Sequence, residues 1–316
     1  MNKPVLPMSS LSLKLPTADG GLETYRLAAS RTFPAKLEGT LNRVAFSAAH
    51  VVADPRADVD PWLTAAIDWD KTIAFREHVW DLGLGVAEAM DTAQRGMGLD
   101  WATSLELIQR SVRAAKARGN ALVFSGAGTD HLAVEDARSI DDVIRAYEEQ
   151  IAAVEKAGGR IILMASRALA HAARGPADYE RVYARILEGV REPVIIHWLG
   201  EMFDPALSGY WGNDDHTRAM ETALAVIGAH ACKVDGVKIS LLDKEKEIAM
   251  RRRLPEGVRM YTGDDFAYAE LIAGDEHGHS DALLGIFDPI APAVGGALAC
   301  LSRDDLGGFH EILAPT

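Results

Sequence analysis

Lys238 is the residue of this 316-residue chain whose surroundings most clearly favour chemistry. It lies in the segment VDGVKISLL, between two apolar residues and at the predicted C-terminal end of a short strand rich in valine and isoleucine. Burial disfavours an ammonium group, so a lysine in such a place can be a nucleophile near neutral pH. The segment therefore predicts an amine that attacks a carbonyl group and forms a Schiff base.

His197 is the second residue whose type and position suit catalysis. It ends the predicted strand PVIIHW, one strand before the strand that ends in Lys238. An imidazole has an ordinary pKa of about 6.5, which suits general acid and base catalysis. We therefore predict that Lys238 and His197 are the catalytic residues and that they lie within reach of one proton transfer.

Four further residues at predicted strand ends are candidates for substrate binding. Asp91 and Thr92 follow an early strand, with Arg95 shortly after them, and these side chains can orient carboxylate or hydroxyl groups. Asp264 and Asp265 follow a late strand and open a helical pattern. One of the two is expected to cap that helix and the other to face the site. We assign Asp91, Thr92, Arg95 and Asp264 to substrate binding.

From about residue 43, the chain alternates short apolar segments with helical patterns. In 139–158, apolar residues recur at helical spacing between a serine suited to cap the helix and a terminal glycine. Strands that are apolar almost throughout are typical of a parallel sheet covered on both faces. Eight such units favour a closed (β/α)8 barrel, whose catalytic groups come from the C-terminal ends of the strands. The predicted strands are 43–49, 84–90, 121–126, 160–165, 193–198, 233–239, 258–262 and 281–286.

The N-terminal segment has a different pattern. Residues 10–30 form two alternating segments around the turn Thr-Ala-Asp-Gly-Gly, which predicts a β-hairpin. We therefore divide the chain into a hairpin extension over residues 1–42 and an α/β TIM barrel over residues 43–316.

The composition limits the classes of partner. A formal net charge of −13 and a pI near 5.2 argue against a nucleic-acid groove or an anionic membrane surface, because either needs a clustered positive field. Cys232 and Cys300 are the only cysteines, and no apolar run approaches the ~18 residues of a membrane span. We expect a cytoplasmic protein that binds a small-molecule substrate, with no nucleic acid and no membrane as a partner.

The segment VDGVKISLLDKEKEIAMRRRLPEGVRMYTGDDFAYAELIAGDEHGHSDALLGIFDPIAP combines three features in order: a strand ending in Gly-x-Lys, a strand ending in Gly-Asp-Asp, and a last strand followed by Ala-Pro. With the order of segments from about residue 121 to 292, it resembles the dihydrodipicolinate synthase and N-acetylneuraminate lyase superfamily. These are Schiff-base (β/α)8 barrels that act on 2-oxo acids. The resemblance implies that Lys238 forms the imine and that the protein is a homo-oligomer.

The chain departs from that superfamily at two positions. Where the superfamily ends its fifth strand in Tyr-Asn-x-Pro, with the tyrosine as proton shuttle, this chain has His197-Trp198-Leu199-Gly200. Where it binds the substrate carboxylate with a Thr-Thr-Gly-Glu-like loop, only Thr92 is kept, and Arg95 is a different potential anchor. More narrowly, the whole chain resembles an uncharacterised bacterial family of dihydrodipicolinate-synthase-like proteins, a domain of unknown function.

Three functional hypotheses follow. The preferred one is a class I lyase or aldolase that needs no cofactor and acts on a keto sugar, a sugar acid or a 2-oxo acid. The first alternative is a divalent-metal barrel isomerase, epimerase or class II aldolase, with His197, Asp91, Glu88 and Asp264 as ligands. The second alternative is a barrel that binds a ligand without catalysis.

Overall fold

The structure is a computed structural model that describes residues 12–27 and 31–316. The chain divides into two compact units, with the boundary between Pro34 and Ala35. No helix in the described part of the chain is both long and apolar enough to cross a membrane.

The first unit contains a two-stranded antiparallel sheet. Strand β1 (Ser12–Pro16) pairs with strand β2 (Leu22–Arg26). Between them, Gly20 has a φ of +82°, a left-handed conformation that glycine adopts without steric cost. This confirms the predicted N-terminal hairpin. Residues 10, 11 and 28–30, which the sequence pattern placed in the same hairpin, lie outside the described residues.

The second unit is a closed barrel of eight parallel strands, as predicted. Along the barrel wall the strands follow chain order, and the last strand pairs with the first. Each observed strand overlaps its predicted segment, because continuous apolar runs between turn residues mark strands that are buried on both faces. The strands are β3 (Ala45–Ala48), β4 (Gly85–Glu88), β5 (Val123–Ala127), β6 (Arg160–Leu163), β7 (Val194–Leu199), β8 (Val234–Ser240), β9 (Arg259–Thr262) and β10 (Asp281–Leu284).

Helices connect the strands and cover the barrel. The predicted helix after β5 is confirmed at both ends: the Ser139 side chain accepts a hydrogen bond from the Asp142 N–H at 3.3 Å, and Gly158 ends the helix with a φ of +81°. The helices are α1 (Trp69–Asp81), α2 (Trp101–Ala117), α3 (Ile140–Ala157), α4 (Arg167–Ala172), α5 (Pro176–Gly189), α6 (His216–Ala229), α7 (Lys244–Arg251), α8 (Tyr268–Ala273), α9 (Phe287–Leu301) and α10 (Leu306–Leu313).

Alternate residues of each strand point into the barrel. The ring of Phe46 packs there against Phe124, with centroids 5.3 Å apart, and against Tyr261 at 5.8 Å. Ile195 on β7 belongs to the same interior cluster, so His197, two residues later, points inward as well. Packed side chains thus fill this part of the barrel, and the carboxyl ends of the strands are where a ligand can bind.

Candidate active site

Lys238 lies on β8 and is buried, with 8% of its surface exposed. Its amine has no hydrogen-bond or ion-pair partner among the described residues. Burial lowers the pKa of Lys238 below the ordinary 10.5, although the negative charges of Asp91 and Asp265 oppose this effect. Gly263 leaves room for the side chain, because a methyl group there would stand 2.9 Å from Lys238 Cε. The environment favours the neutral amine.

His197 lies on β7, directly beside Lys238 in the parallel register. It is 1% exposed, and neither ring nitrogen has a hydrogen-bond partner in the described part of the chain. Burial, followed by the positive charge of Lys238, lowers the pKa of His197 well below 6.5. Unpaired buried nitrogens are costly, so this neutral imidazole is ready to bond to a ligand or to water.

A cavity of about 230 Å³ lies at the carboxyl ends of β4 to β7. It is smaller than the typical ~300–1,000 Å³ of a site for a drug-sized ligand, so it suits a compact metabolite. His197 lines this cavity, whereas Lys238 is not among the lining residues. Lys238 is linked to it through its neighbour His197 and through Asp91, whose charge acts on the amine. The polar lining side chains are Asp91, Arg95, Thr129, Asp130, Ser166, Arg167, His197 and Asp204.

Asp91 and Thr92 are adjacent in sequence but lie in different surroundings. Asp91 opens the short 3-10 turn Asp91–Ala93 and lines the cavity. Thr92 does not line it. Its hydroxyl lies at Gly285, beyond the end of β10, where a methyl group would be only 2.6 Å away. The structure thus brings Asp91 to the cavity and to Lys238, and it directs Thr92 towards β10.

Arg95 lines the cavity, but its guanidinium group is already fully bonded to the protein. Nε and Nη2 donate to the carboxylate of Asp130 at 3.2 and 2.9 Å. Nη1 donates to the carbonyl oxygens of Gly126 at 2.6 Å and Ala89 at 3.3 Å, and Nη2 also donates to Gln150. These contacts use all five N–H donors. A substrate would have to displace one of them, so the geometry suits Arg95 to holding Asp130 and the loops in place.

Asp264 and Asp265 have separate roles. The Asp264 carboxylate accepts hydrogen bonds from the backbone N–H groups of Phe266 at 2.9 Å and Ala267 at 2.8 Å, so it caps the turn before α8. Asp265 is half-buried. Burial raises its pKa, and the positive charge of Lys238 opposes that rise. Of the two aspartates, Asp265 is therefore the one that acts on the amine.

Glu88 points away from the barrel interior. Its carboxylate accepts from Arg76 of α1 at 2.8 and 2.9 Å, and also from Ser111 of α2. The four proposed metal ligands, His197, Asp91, Glu88 and Asp264, are thus not gathered around one point. Among the described residues, no three His, Cys, Asp or Glu side chains form a group that could hold a metal ion.

A larger cavity of about 550 Å³ lies between the loop after β3 and residues 93–99. Most of its lining is apolar, including Val51, Trp62 and Leu99. None of the predicted site residues lines it. The smaller cavity is therefore the candidate site, because it is lined by His197, whose pKa is lowered, and by Asp91, whose charge acts on Lys238.

Residues 13–316 match the family described as "Protein of unknown function (DUF993)". The chain belongs to this family. A comparison with curated proteins gives no match.

Solved structures similar to this DUF993 member include three dihydrodipicolinate synthases. The one from Aquifex aeolicus is 13% identical with a TM-score of 0.63, covering 85% of this chain and 78% of its own. The one from Bacillus clausii is 15% identical with a TM-score of 0.62, covering 85% of this chain and 78% of its own. The one from Oceanobacillus iheyensis is 14% identical with a TM-score of 0.58, covering 86% of this chain and 77% of its own. The predicted resemblance is thus confirmed for the fold.

Among the residues that the structure describes, no tyrosine lines the candidate site of this DUF993 member. Tyr210 accepts from the Ser166 N–H at 3.1 Å and Tyr147 donates to the Met164 carbonyl at 2.6 Å, so both support the segment after β6 from outside the cavity. Burial raises the pKa of Tyr210. His197 is therefore the unpaired side chain that lines the cavity beside Lys238.

The sequence-based assignment omitted Thr129, Ser166 and Asp265 as site residues. Ser166 and Thr129 line the cavity from the ends of two neighbouring strands. Their positions after strands β5 and β6 could have identified them as site residues from the sequence, because loops at these strand ends build the sites of such barrels. The pairing of the two hydroxyl groups depends on tertiary structure, since they are 37 residues apart.

Proposed function

We propose that this protein is a class I lyase or aldolase that forms an imine between Lys238 and a carbonyl substrate. The observation that carries the proposal is a buried amine beside a buried imidazole, neither of which has a hydrogen-bond partner among the described residues. Both groups have pKa values lowered by burial. A neutral amine is the nucleophile that this chemistry needs, and a neutral imidazole is a base.

The reaction proceeds through covalent steps, and the protein and water supply all the groups that these steps need. The amine of Lys238 adds to the carbonyl carbon, and loss of water gives an imine whose protonated nitrogen withdraws electrons. A base then takes the proton of the substrate's β-hydroxyl group, the carbon–carbon bond breaks, and a carbonyl fragment leaves. The remaining enamine takes up a proton at carbon, and water hydrolyses the imine to release the second fragment.

His197 is the group that moves these protons. It takes the proton of the β-hydroxyl group and returns a proton to the enamine carbon, so it ends the cycle neutral. Its low pKa keeps it unprotonated before the reaction, as a base requires. Asp91, which also lines the cavity, orients hydroxyl groups of the substrate.

The other predicted binding residues hold neighbouring groups in position. Arg95 holds Asp130 at the cavity, Asp264 fixes the turn that carries Asp265, and Thr92 closes the space beside Gly285. The substrate belongs to the keto sugars, sugar acids or 2-oxo acids. We also propose a homo-oligomer in the cytoplasm; the adjacent side chains of Trp62 and Leu63, which are 93% and 83% exposed, offer an apolar surface for self-association.

Trapping of the imine tests this proposal. The purified protein is incubated with a panel of hydroxylated ketones, aldehydes and 2-oxo acids in the presence of borohydride, and the modified residue is located by peptide mass spectrometry. We expect a reduced adduct on Lys238 in the natural protein and in Lys71→Ala, which lacks an exposed lysine of α1, and none in Lys238→Ala. An adduct spread evenly over the surface lysines would contradict the imine.

A further inference from the structure

We infer that the substrate is an uncharged, hydroxylated carbonyl compound, and that the hydroxyl pair Thr129 and Ser166 binds one of its hydroxyl groups. The inference deepens the proposed function and rests on it, because it concerns the substrate that forms the imine with Lys238. It narrows the candidates to neutral sugars and their ketone relatives, and it excludes a carboxylate as the main recognition element.

The hydroxyl pair leaves one acceptor oxygen for a ligand. Thr129 and Ser166 are buried at the cavity wall, and their oxygens are 2.6 Å apart. The Ser166 oxygen also accepts from the Leu169 N–H at 2.9 Å. Two hydroxyl groups carry two hydrogens, and the contact between them uses one. The other goes to Tyr147, to which the Ser166 side chain is also hydrogen-bonded, so Thr129 donates to Ser166 and its own oxygen stays open as an acceptor at the cavity wall.

The Thr129 oxygen can therefore accept a hydrogen bond from a ligand hydroxyl group or from water. His197 offers a second unpaired position in the same cavity, because both of its ring nitrogens lack partners. Asp91 adds an acceptor for a hydroxyl donor. Together, these groups match the alternating donors and acceptors of a polyhydroxylated molecule.

The charges of the cavity disfavour an anion. Arg95 is paired with Asp130 at 2.9 Å, and Arg167 is paired with Asp204 at 2.5 Å. Asp91 has no arginine partner, so the lining carries three aspartates against two arginines, with His197 neutral. The negative charges of Asp91 and Asp265 act on Lys238 and counter its positive charge.

An anionic substrate would therefore enter a cavity with one net negative charge and would compete with a carboxylate for each cation. A neutral polyol meets no such cost. It can donate to Asp91 and to the Thr129 oxygen, and the volume of about 230 Å³ suits a molecule of a few carbons.

The test compares dihydroxyacetone, a neutral hydroxylated ketone, with pyruvate, an anionic ketone of equal carbon number. Each probe is incubated with the full-length protein and cyanoborohydride, and labelling of Lys238 is divided by labelling of the exposed Lys71 in the same sample, which corrects for intrinsic reactivity. We expect this ratio to be about tenfold higher for dihydroxyacetone.

Thr129→Val removes one hydroxyl group and keeps the side-chain shape. It is expected to lower the dihydroxyacetone ratio by about fivefold and to leave the pyruvate ratio within about twofold. Thr222→Val is the matched control, because Thr222 is a buried threonine on α6 outside the cavity. Thermal unfolding of both variants confirms that they are folded.

The outcomes separate this inference from the imine itself. A pyruvate ratio above that of dihydroxyacetone, lowered in Arg167→Gln, would overturn the neutral substrate and leave the imine intact. An equal effect of Thr129→Val on both probes would refute hydroxyl recognition by the pair. Absence of selective Lys238 labelling with either probe would overturn the proposed function, and the inference with it.

Discussion

His197 and Lys238 are partners in register on the neighbouring parallel strands β7 and β8, and both point into the barrel. The positive charge of Lys238 lowers the pKa of His197 beyond the effect of burial. Protonation of one group therefore disfavours protonation of the other, so the two titrate as a coupled pair. The lowered pKa keeps the imidazole of His197 neutral near neutral pH, as is required of a base beside a nucleophile.

Replacing Lys238 by methionine is expected to stabilise the fold by about 1 kcal/mol near neutral pH, because a buried amine that has no partner in the described part of the chain is replaced by an apolar chain of similar length. The folded pKa of Lys238 lies below its unfolded value. Between those two values the unfolded state binds more protons, so the natural protein gains stability as pH rises there. The stability advantage of Lys238→Met over the natural protein therefore becomes smaller over the same pH range.

Urea denaturation of Lys238→Met and the natural protein, from about pH 7 to about pH 10, checks this. Lys71→Met is the matched control, since Lys71 is exposed. A loss of about 2 kcal/mol or more in Lys238→Met would mean that the amine has a partner in the folded protein.

Replacing His197 by leucine is expected to reduce the acid sensitivity of the fold. The folded pKa of His197 lies well below 6.5, so below that pH the unfolded state binds a proton that the folded state does not. Stability of the natural protein is therefore lost as pH falls from 6.5 towards the folded pKa. At about pH 5 this effect amounts to as much as about 2 kcal/mol, at about 1.4 kcal/mol per pH unit.

Denaturation curves of His197→Leu at about pH 7 and about pH 5 measure the difference. The same variant is expected to form the imine while turnover falls by about 10²–10⁴-fold, as for loss of a general base. An unchanged turnover would remove His197 from the mechanism.

Glu88→Gln is expected to cost about 3 kcal/mol of stability, because it leaves Arg76 buried without a charged partner. Imine trapping at Lys238 should stay within about twofold, since Glu88 faces α1 and α2. Glu106→Gln is the control: its pair with Arg110 is exposed and contributes less than about 0.5 kcal/mol. A Glu88→Gln variant of full stability that no longer forms the imine would place Glu88 in the site instead.

Asp265→Asn removes a negative charge that raises the pKa of Lys238. The pKa of the amine should therefore fall further, and the pH profile of imine trapping should move to lower pH. Asp275→Asn removes an equal charge from the exposed loop before β10 and is expected to leave the profile in place. A profile that moves to higher pH in Asp265→Asn would reverse the assigned role of this carboxylate.

The sequence pattern predicted the barrel because its signals are local. Apolar runs marked each strand, and Ser139 and Gly158 marked both ends of a helix through capping chemistry that involves only neighbouring residues. The position of Lys238 followed from the same reasoning, since it lies near the end of a predicted strand.

The environment of the other residues depends on partners that are distant in sequence. Glu88 lies in a strand that is apolar on both faces, so alternation could not tell which way it points. Gln150, which binds Arg95, comes from α3, 55 residues further along. Asp264 and Asp265 are adjacent, and only the backbone geometry of the turn decides which of them caps it.

The pH dependence of Lys238 labelling is the most direct test of the central claim. Trapping with dihydroxyacetone and cyanoborohydride is followed by peptide mass spectrometry across the range from about pH 6 to about pH 11, with Lys71 as the internal reference. Selective labelling of Lys238 with an apparent pKa below the ordinary 10.5 is expected. Labelling of Lys238 that follows the same curve as Lys71, or no labelling at all, would contradict a buried nucleophilic amine.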